Sequence, residues 1–80
     1  MVDIIYTDKF EKEVKKLDSS IKSKVIKQIK KIIQKPDIGK PLRYDLKRER
    51  TIYVKPYRII YSFNHEAIIF LRVEHRKSVY

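Results

Sequence analysis

The sequence contains no cysteine, a single glycine and only two histidines among its 80 residues. Without cysteine, neither a disulfide nor a thiolate metal site can stabilise the fold, and two histidines without paired acids disfavour a metal centre. The single glycine, Gly39, excludes a glycine-rich loop that would cradle a nucleotide phosphate. We therefore expect no metal and no cofactor, so that any catalysis relies on Arg, Lys, Tyr and His.

Long apolar runs are also missing, and nothing in the sequence resembles a signal peptide or a membrane span. A chain of 80 residues has room for one small domain with a marginal core. We therefore predict a single domain over residues 1–80, a cytoplasmic location and no membrane partner.

Acidic residues are scarce: ten stand against 20 basic residues, which gives a net charge of +10. Residues 1–35 hold ten lysines and no arginine, whereas residues 36–80 hold four lysines and six arginines. Arginine offers a planar fork that binds phosphate through two hydrogen bonds, while lysine is a hydrated point charge. The excess predicts a nucleic acid or an acidic protein as partner, with phosphate binding in the second half. The alternative for the helical lysines is a solvated surface.

A short β-branched segment predicts a first strand over Val2–Tyr6. Thr7 and Asp8 follow as candidate helix caps. Apolar side chains then recur at Phe10, Val14 and Leu17, on one face of a helix, so that the first helix should end near Leu17.

Asp18-Ser19-Ser20 can cap a second helix, and Pro36 forbids its continuation. Its apolar stripe consists of Ile21, Val25, Ile29, Ile32 and Ile33. Neither helix can bury its stripe alone, so the two should form an antiparallel hairpin that packs as one layer against a sheet.

Beyond a loop at Lys35–Pro41, the apolar period changes from that of a helix to two, which is typical of strands. Short connections are predicted at Lys55-Pro56 and Asn64-His65. The predicted strands cover 42–46, 51–55, 57–63 and 67–73. The fold class is therefore α+β in two layers: an N-terminal strand, a helical hairpin and an antiparallel meander.

The strand at 57–63 should turn its tyrosines, Ile59 and Phe63 toward the core and Arg58 toward the other side of the sheet. An arginine on a rigid strand suggests anion recognition; the alternative is an ion pair with Asp45 or Glu74. These residue types suit cleavage of RNA by its own 2′-hydroxyl, because the nucleophile already lies beside the scissile phosphate. The protein then need only orient the RNA, deprotonate the 2′-hydroxyl and neutralise the charge on the phosphate.

Three segments carry a resemblance to a known family: Leu42-Arg43, the run Tyr57–Tyr61, and the ending His75–Tyr80. In this order the chain resembles the RelE/ParE toxin superfamily over essentially its whole length. The strand segment and the Arg-x-x-Val-Tyr ending favour the RelE-like branch of ribosome-dependent mRNA endonucleases. The resemblance implies a RelE-like two-layer fold of the microbial ribonuclease type.

The resemblance also assigns catalytic roles. It implies that Arg58 stabilises the scissile phosphate and that Tyr80 stacks on a base and aligns the 2′-hydroxyl. Arg76 belongs to the basic run before Tyr80, and His75 corresponds to histidines that transfer a proton in related toxins. The structural alternatives are a frayed end for Tyr80 and a polar strand end for His75.

The chain departs from the family at Thr51 and Tyr53, which align with paired lysines of some RelE members. Because these lysines are missing, the general base is not identified, and other cations must supply the positive charge. The predicted RNA-binding residues are Arg43, Lys47, Arg48, Arg50 and Lys77.

The resemblance further implies a cognate RelB-like antitoxin, in a heterotetramer, whose acidic amphipathic segment would cover the basic toxin. The ribosome and mRNA are the other implied partners. Two alternatives remain open. A ParE-like toxin would inhibit DNA gyrase without cutting RNA, and a non-catalytic RNA-binding module would show salt-sensitive RNA affinity without turnover.

Overall fold

The computed structural model describes residues 2–41 and 49–75. The strand predicted over 42–46 lies outside the described residues. In chain order the elements are β1 (Asp3–Tyr6), α1 (Asp8–Lys15), α2 (Ser19–Gln34), a 3₁₀ turn (Pro36–Ile38), β2 (Lys40–Pro41), β3 (Glu49–Val54), β4 (Tyr57–Phe63) and β5 (Ala67–His75).

The strands form one sheet in the order β1-β5-β4-β3-β2. β3, β4 and β5 are antiparallel neighbours, as the predicted meander requires, and β1 pairs in parallel with β5 at the sheet edge. The helical hairpin makes the connection out of β1, since parallel strands need a long crossover. The predicted α+β fold class is confirmed.

Several boundaries differ from the predictions. α1 ends at Lys15 rather than near Leu17, because the N–H of Leu17 donates to the carbonyl of Val14 in a tightened last turn. β2 lies inside the predicted loop at Lys35–Pro41. The β4–β5 turn is centred one residue later than Asn64-His65, because the Asn64 side chain accepts the Glu66 and Ala67 N–H groups. β5 also continues to His75.

α2 begins where predicted, at a cap formed by Asp18. The Asp18 carboxylate accepts the N–H of Ile21 at 2.9 Å, and this bond is the main reason why the pKa of Asp18 lies below its usual range. Pro36 follows the helix and opens the 3₁₀ turn. Among residues 2–41 and 49–75, no helix is long and apolar enough to cross a membrane.

The core lies between the two helices and one face of the sheet. Phe10, Val25 and Ile32 are its buried helical members. The buried sheet members are Val54, Ile59, Tyr61, Ile68, Phe70 and Val73. As predicted, Tyr61 is buried, while Tyr57 and Phe63 pack against the core at its border.

A register shift interrupts the pairing of β4 with β5. Ile60 lies opposite Arg72, whereas the next residue, Tyr61, lies opposite Phe70, so that Leu71 is an extra residue on β5. Residues two apart on a regular strand share a face. Because Leu71 forms a β-bulge, Phe70 faces the core while Arg72 faces the opposite side.

Helix α1 is bonded to β5 around this bulge. The Thr7 hydroxyl donates to the carbonyl of Leu71 at 2.9 Å and accepts the N–H of Phe10, which makes Thr7 the helix cap. Further along α1, the Glu13 carboxylate accepts the N–H of Val73 at 2.9 Å. Two polar side chains of one helix thus satisfy backbone groups of the irregular strand.

Tyr61 connects the sheet to the segment after α2. Its hydroxyl donates to the carbonyl of Pro36 at 2.6 Å and accepts the N–H of Gly39 at 2.9 Å. Burial raises the pKa of Tyr61, which keeps the phenol protonated and able to donate. Gly39 has an ordinary φ of −72°, but a Cβ there would lie 2.5 Å from the Tyr61 hydroxyl and 2.8 Å from its ring. The glycine is required for space.

We predict that Gly39→Ala lowers the free energy of unfolding by about 1–3 kcal/mol, because the added methyl forces the buried Tyr61 ring to move. Urea denaturation monitored by circular dichroism measures the change. Lys40→Ala, at an exposed neighbour, is the matched control and should change little. Equal stability of Gly39→Ala and the wild type would contradict the tight contact.

Candidate nucleic-acid interface

The face of the sheet opposite the helices carries a compact set of charged side chains. Strand pairing puts Arg58 beside Glu74 and Ile60 beside Thr51 and Arg72, and residues paired across a sheet share a face. We call this surface the arginine face. Its members are Glu49, Thr51, Tyr53, Arg58, Ile60, Ser62, Arg72 and Glu74.

Arg58 lies on the arginine face, on the side of the sheet that the alternation of β4 predicts. Its Nε and Nη2 atoms both donate to one carboxylate oxygen of Glu74, at 3.2 and 3.0 Å. The predicted alternative, an ion pair with Glu74, is therefore present. A phosphate contact of Arg58 stays a prediction.

Arg72 is a second arginine on this face that the sequence reasoning did not identify. It donates to Glu49 at 3.1 Å from Nη2 and approaches Glu74 at 3.4 Å from Nε. The bond to Glu49 spans from β5 to β3 across β4. Arg72 and Glu74 stand two residues apart, which would have indicated a shared face.

Ile60 and Thr51 lie between these charges and are buried. The Thr51 hydroxyl finds no hydrogen-bond partner in the part of the chain that the structure describes. Thr51 is one of the two positions where some RelE members carry a lysine. A buried, uncharged pair at this point leaves the cationic groups of the arginine face to Arg58 and Arg72.

Arg50, a predicted RNA-binding residue, lies on the helix side of the sheet, opposite Tyr61 in the register. Its Nη1 donates to the carbonyl of Gly39 at 2.7 Å and to that of Asp37 at 3.3 Å. The guanidinium also stands 5.2 Å from the centre of the Phe63 ring. These contacts fix the segment between α2 and β2, and they give Arg50 a structural role.

His75 occupies the last position of β5, opposite Tyr57. The two rings meet edge to face with centroids 5.1 Å apart. Since Glu74 lies on the arginine face, alternation turns His75 to the other side of the sheet. The structure therefore does not bring His75 and Arg58 together on one face.

The other predicted site residues lie outside the described residues: Arg43, Lys47, Arg48, Arg76, Lys77 and Tyr80. Their roles stay predictions. Within 2–41 and 49–75, no group of three or more His, Asp or Glu side chains is arranged to hold a metal ion.

The sequence of this chain matches a known family of toxins. The family of ParE toxins from type II toxin–antitoxin systems (parDE) matches residues 4–80. The chain belongs to this family of toxins, and the predicted membership of the RelE/ParE superfamily is confirmed. No curated relative matches the chain by sequence.

Similar solved structures include YafQ and two toxin–antitoxin complexes. YafQ from E. coli strain BL21(DE3) has a TM-score of 0.81 at 22% identity, covering 100% of this chain and 99% of YafQ. The RelBE toxin–antitoxin complex of E. coli gives 0.80 at 21% identity, covering 94% and 96%. RelBE2 of Mycobacterium tuberculosis, also a toxin–antitoxin complex, gives 0.77 at 26%, covering 94% and 98%.

We predict that Arg50→Ala lowers the free energy of unfolding by about 1–2 kcal/mol, because two carbonyl hydrogen bonds disappear. Its activity per folded molecule, measured in the mRNA cleavage assay described below, should equal that of the wild type. Lys55→Ala, which removes a charge from an exposed turn, is the control. Unchanged stability combined with lost activity would instead make Arg50 a residue that contacts RNA.

Proposed function

We propose that this toxin is a ribosome-dependent, metal-independent endonuclease that cuts mRNA and stops translation. The observation that carries the proposal is the pair of arginines, Arg58 and Arg72, held on adjacent strands of the same sheet face. Guanidinium groups stabilise charge on a phosphate through short, directed hydrogen bonds. The likeness to RelE and YafQ toxins supports the same reading.

The reaction follows from the substrate. The 2′-hydroxyl of a nucleotide attacks the adjacent phosphate; a bond from phosphorus to O2′ forms and the bond to O5′ breaks. A general base of the toxin accepts the proton of the 2′-hydroxyl, and a general acid donates a proton to the leaving 5′-oxygen. Arg58 stabilises the negative charge that grows on the phosphate oxygens, while binding on the ribosome supplies the alignment.

Proton transfer involves residues at the C-terminal end of the chain in this proposal. Tyr80 aligns the 2′-hydroxyl and stacks on a base, and Arg76 adds positive charge. His75 is suited to give the leaving oxygen its proton. Because His75 turns away from the arginine face, this role requires the scissile phosphate to lie at the strand end, beside the Arg58–Glu74 pair.

We expect Arg58→Ala to reduce mRNA cleavage by about 10²- to 10³-fold, the usual effect of removing one donor that stabilises an oxyanion. Primer extension on mRNA from a reconstituted translation reaction measures cleavage at the ribosomal A site. A reaction without ribosomes tests the ribosome dependence.

Two variants control this experiment. Arg58→Lys keeps the charge but loses the planar fork, so it should retain only part of the activity. Lys9→Ala removes one positive charge from the exposed surface of α1 and should cleave normally. Cleavage by Arg58→Ala at the wild-type rate would overturn the assignment, and intact mRNA with the wild-type protein would overturn the function.

The chain offers a surface for the antitoxin that belongs to this proposal. A groove of about 530 Å³ lies between β1, α1 and α2. Its apolar lining residues are Tyr6, Phe10, Val14, Ile26, Ile29 and Ile33, and its charged lining residues are Glu11, Lys15 and Lys30. An amphipathic antitoxin segment with acidic flanks fits both features, since its apolar side fills the groove and its charges meet the lysines.

We predict that Ile26→Glu prevents neutralisation by the antitoxin while leaving toxicity intact. Ile26 is 43% exposed, so the change spoils the groove without burying a charge in the core. Gln28→Glu adds the same charge to α2 away from the groove and is the control. Growth of cells that produce toxin and antitoxin together provides the measurement; equal neutralisation of all three proteins would exclude the groove as the binding surface.

A second candidate function is inhibition of DNA gyrase. The matched family is that of ParE toxins, and the family resemblance links ParE-like members to gyrase. A supercoiling assay with purified gyrase and plasmid distinguishes the two proposals. Loss of supercoiling with intact mRNA would favour the ParE-like function, whereas cut mRNA with normal supercoiling would favour the endonuclease.

A further inference from the structure

Four side chains of the arginine face form one connected chain of ion pairs, which we call the ion-pair ladder. Arg58 bonds Glu74 through two N–H groups, Glu74 reaches Arg72, and Arg72 bonds Glu49. Two positive and two negative groups cancel. The ladder itself therefore has no net charge, although the whole chain carries +10.

The ladder is partly shielded from water. The exposed fractions of its side chains run from 17% for Glu49 to 30% for Glu74, so the charges are screened less than those of a free surface pair. A carboxylate and a phosphate offer similar oxygen atoms to the fork of an arginine. Glu74 thus occupies donors of Arg58 that an RNA phosphate would use.

We propose, on the basis of the endonuclease function above, that Glu74 is an internal substitute for the substrate phosphate. RNA binds Arg58 by displacing this carboxylate. The second oxygen of Glu74 already faces Nε of Arg72 at 3.4 Å, so the displaced carboxylate keeps a cationic partner. The exchange costs binding energy, which makes the free protein a weak RNA binder and favours RNA that the ribosome already holds in place.

The test measures binding of a single-stranded 2′-O-methyl oligonucleotide, which cannot be cleaved, by fluorescence anisotropy. Glu74→Gln keeps the size of the side chain and an oxygen acceptor for Arg58 but removes the charge. We expect about three- to tenfold tighter binding, because one negative charge near the phosphate is gone. The gain should persist as salt rises, since the contact is local and partly shielded.

Glu66→Gln is the matched control, because it changes the net charge equally at an exposed turn away from the ladder. Glu49→Gln removes the negative charge beside Arg72 in the same way. Thermal melting shows whether either variant has a folding defect, and the other variant then still tests the proposal. The proposal would be overturned if Glu74→Gln and Glu49→Gln both bound RNA no more tightly than Glu66→Gln, or more weakly than the wild type.

Arg58→Gln separates this inference from the function on which it rests. If Arg58→Gln binds RNA more weakly while Glu74→Gln and Glu66→Gln bind equally, Arg58 contacts the phosphate but Glu74 is not its substitute. Unchanged binding by Arg58→Gln would instead remove the phosphate contact itself. The proposal also predicts that Glu74→Gln no longer tightens RNA binding when it is combined with Arg58→Gln.

Discussion

The hydrogen bond from Thr7 to the carbonyl of Leu71 supports the feature on which the site depends, the bulge in β5. The extra residue shifts the alternation of side chains along β5 by one position. Phe70 therefore faces the core, while Arg72, two residues later, faces the opposite side of the sheet. Without the extra residue, Arg72 would share the face of Phe70. The same backbone irregularity therefore completes the aromatic core and places two arginines side by side.

Much of this architecture is readable from the sequence because it rests on local rules. The apolar stripes of α1 and α2, the Asp18 cap and the alternation of β4 each depend on neighbouring residues, and each was predicted close to its observed position. The parallel pairing of β1 with β5 and the bulge depend on contacts about 60 residues apart in the chain, such as that of Thr7 with Leu71. Alternation alone could not show them.

The candidate site was predictable in part for the same reason. Arg58 was placed on the correct side of its strand, and Glu74 was one of the two ion-pair partners considered. The structural role of Arg50 was not predictable, because its partners are backbone carbonyls of a loop rather than side chains. The charge itself is also unevenly placed: α2 carries five lysines and no acid, whereas Arg58 and Arg72 on the arginine face are each paired with glutamates. Among residues 2–41 and 49–75, the excess of positive charge therefore lies mainly on the helical layer.

The hydrogen bond between Glu13 and Val73 affects where a strand from another chain can join the sheet. β1 covers only the first four residues of β5, from Ala67 to Phe70, and the longer strand would otherwise present open backbone groups beyond that point. Such an edge is a template for an added strand from another chain. By accepting the Val73 N–H, the Glu13 carboxylate occupies a backbone donor that an added strand would use there. At this edge of the sheet, an extended partner segment would have to pair along the outer side of β1 or compete with the Glu13 carboxylate for the Val73 N–H.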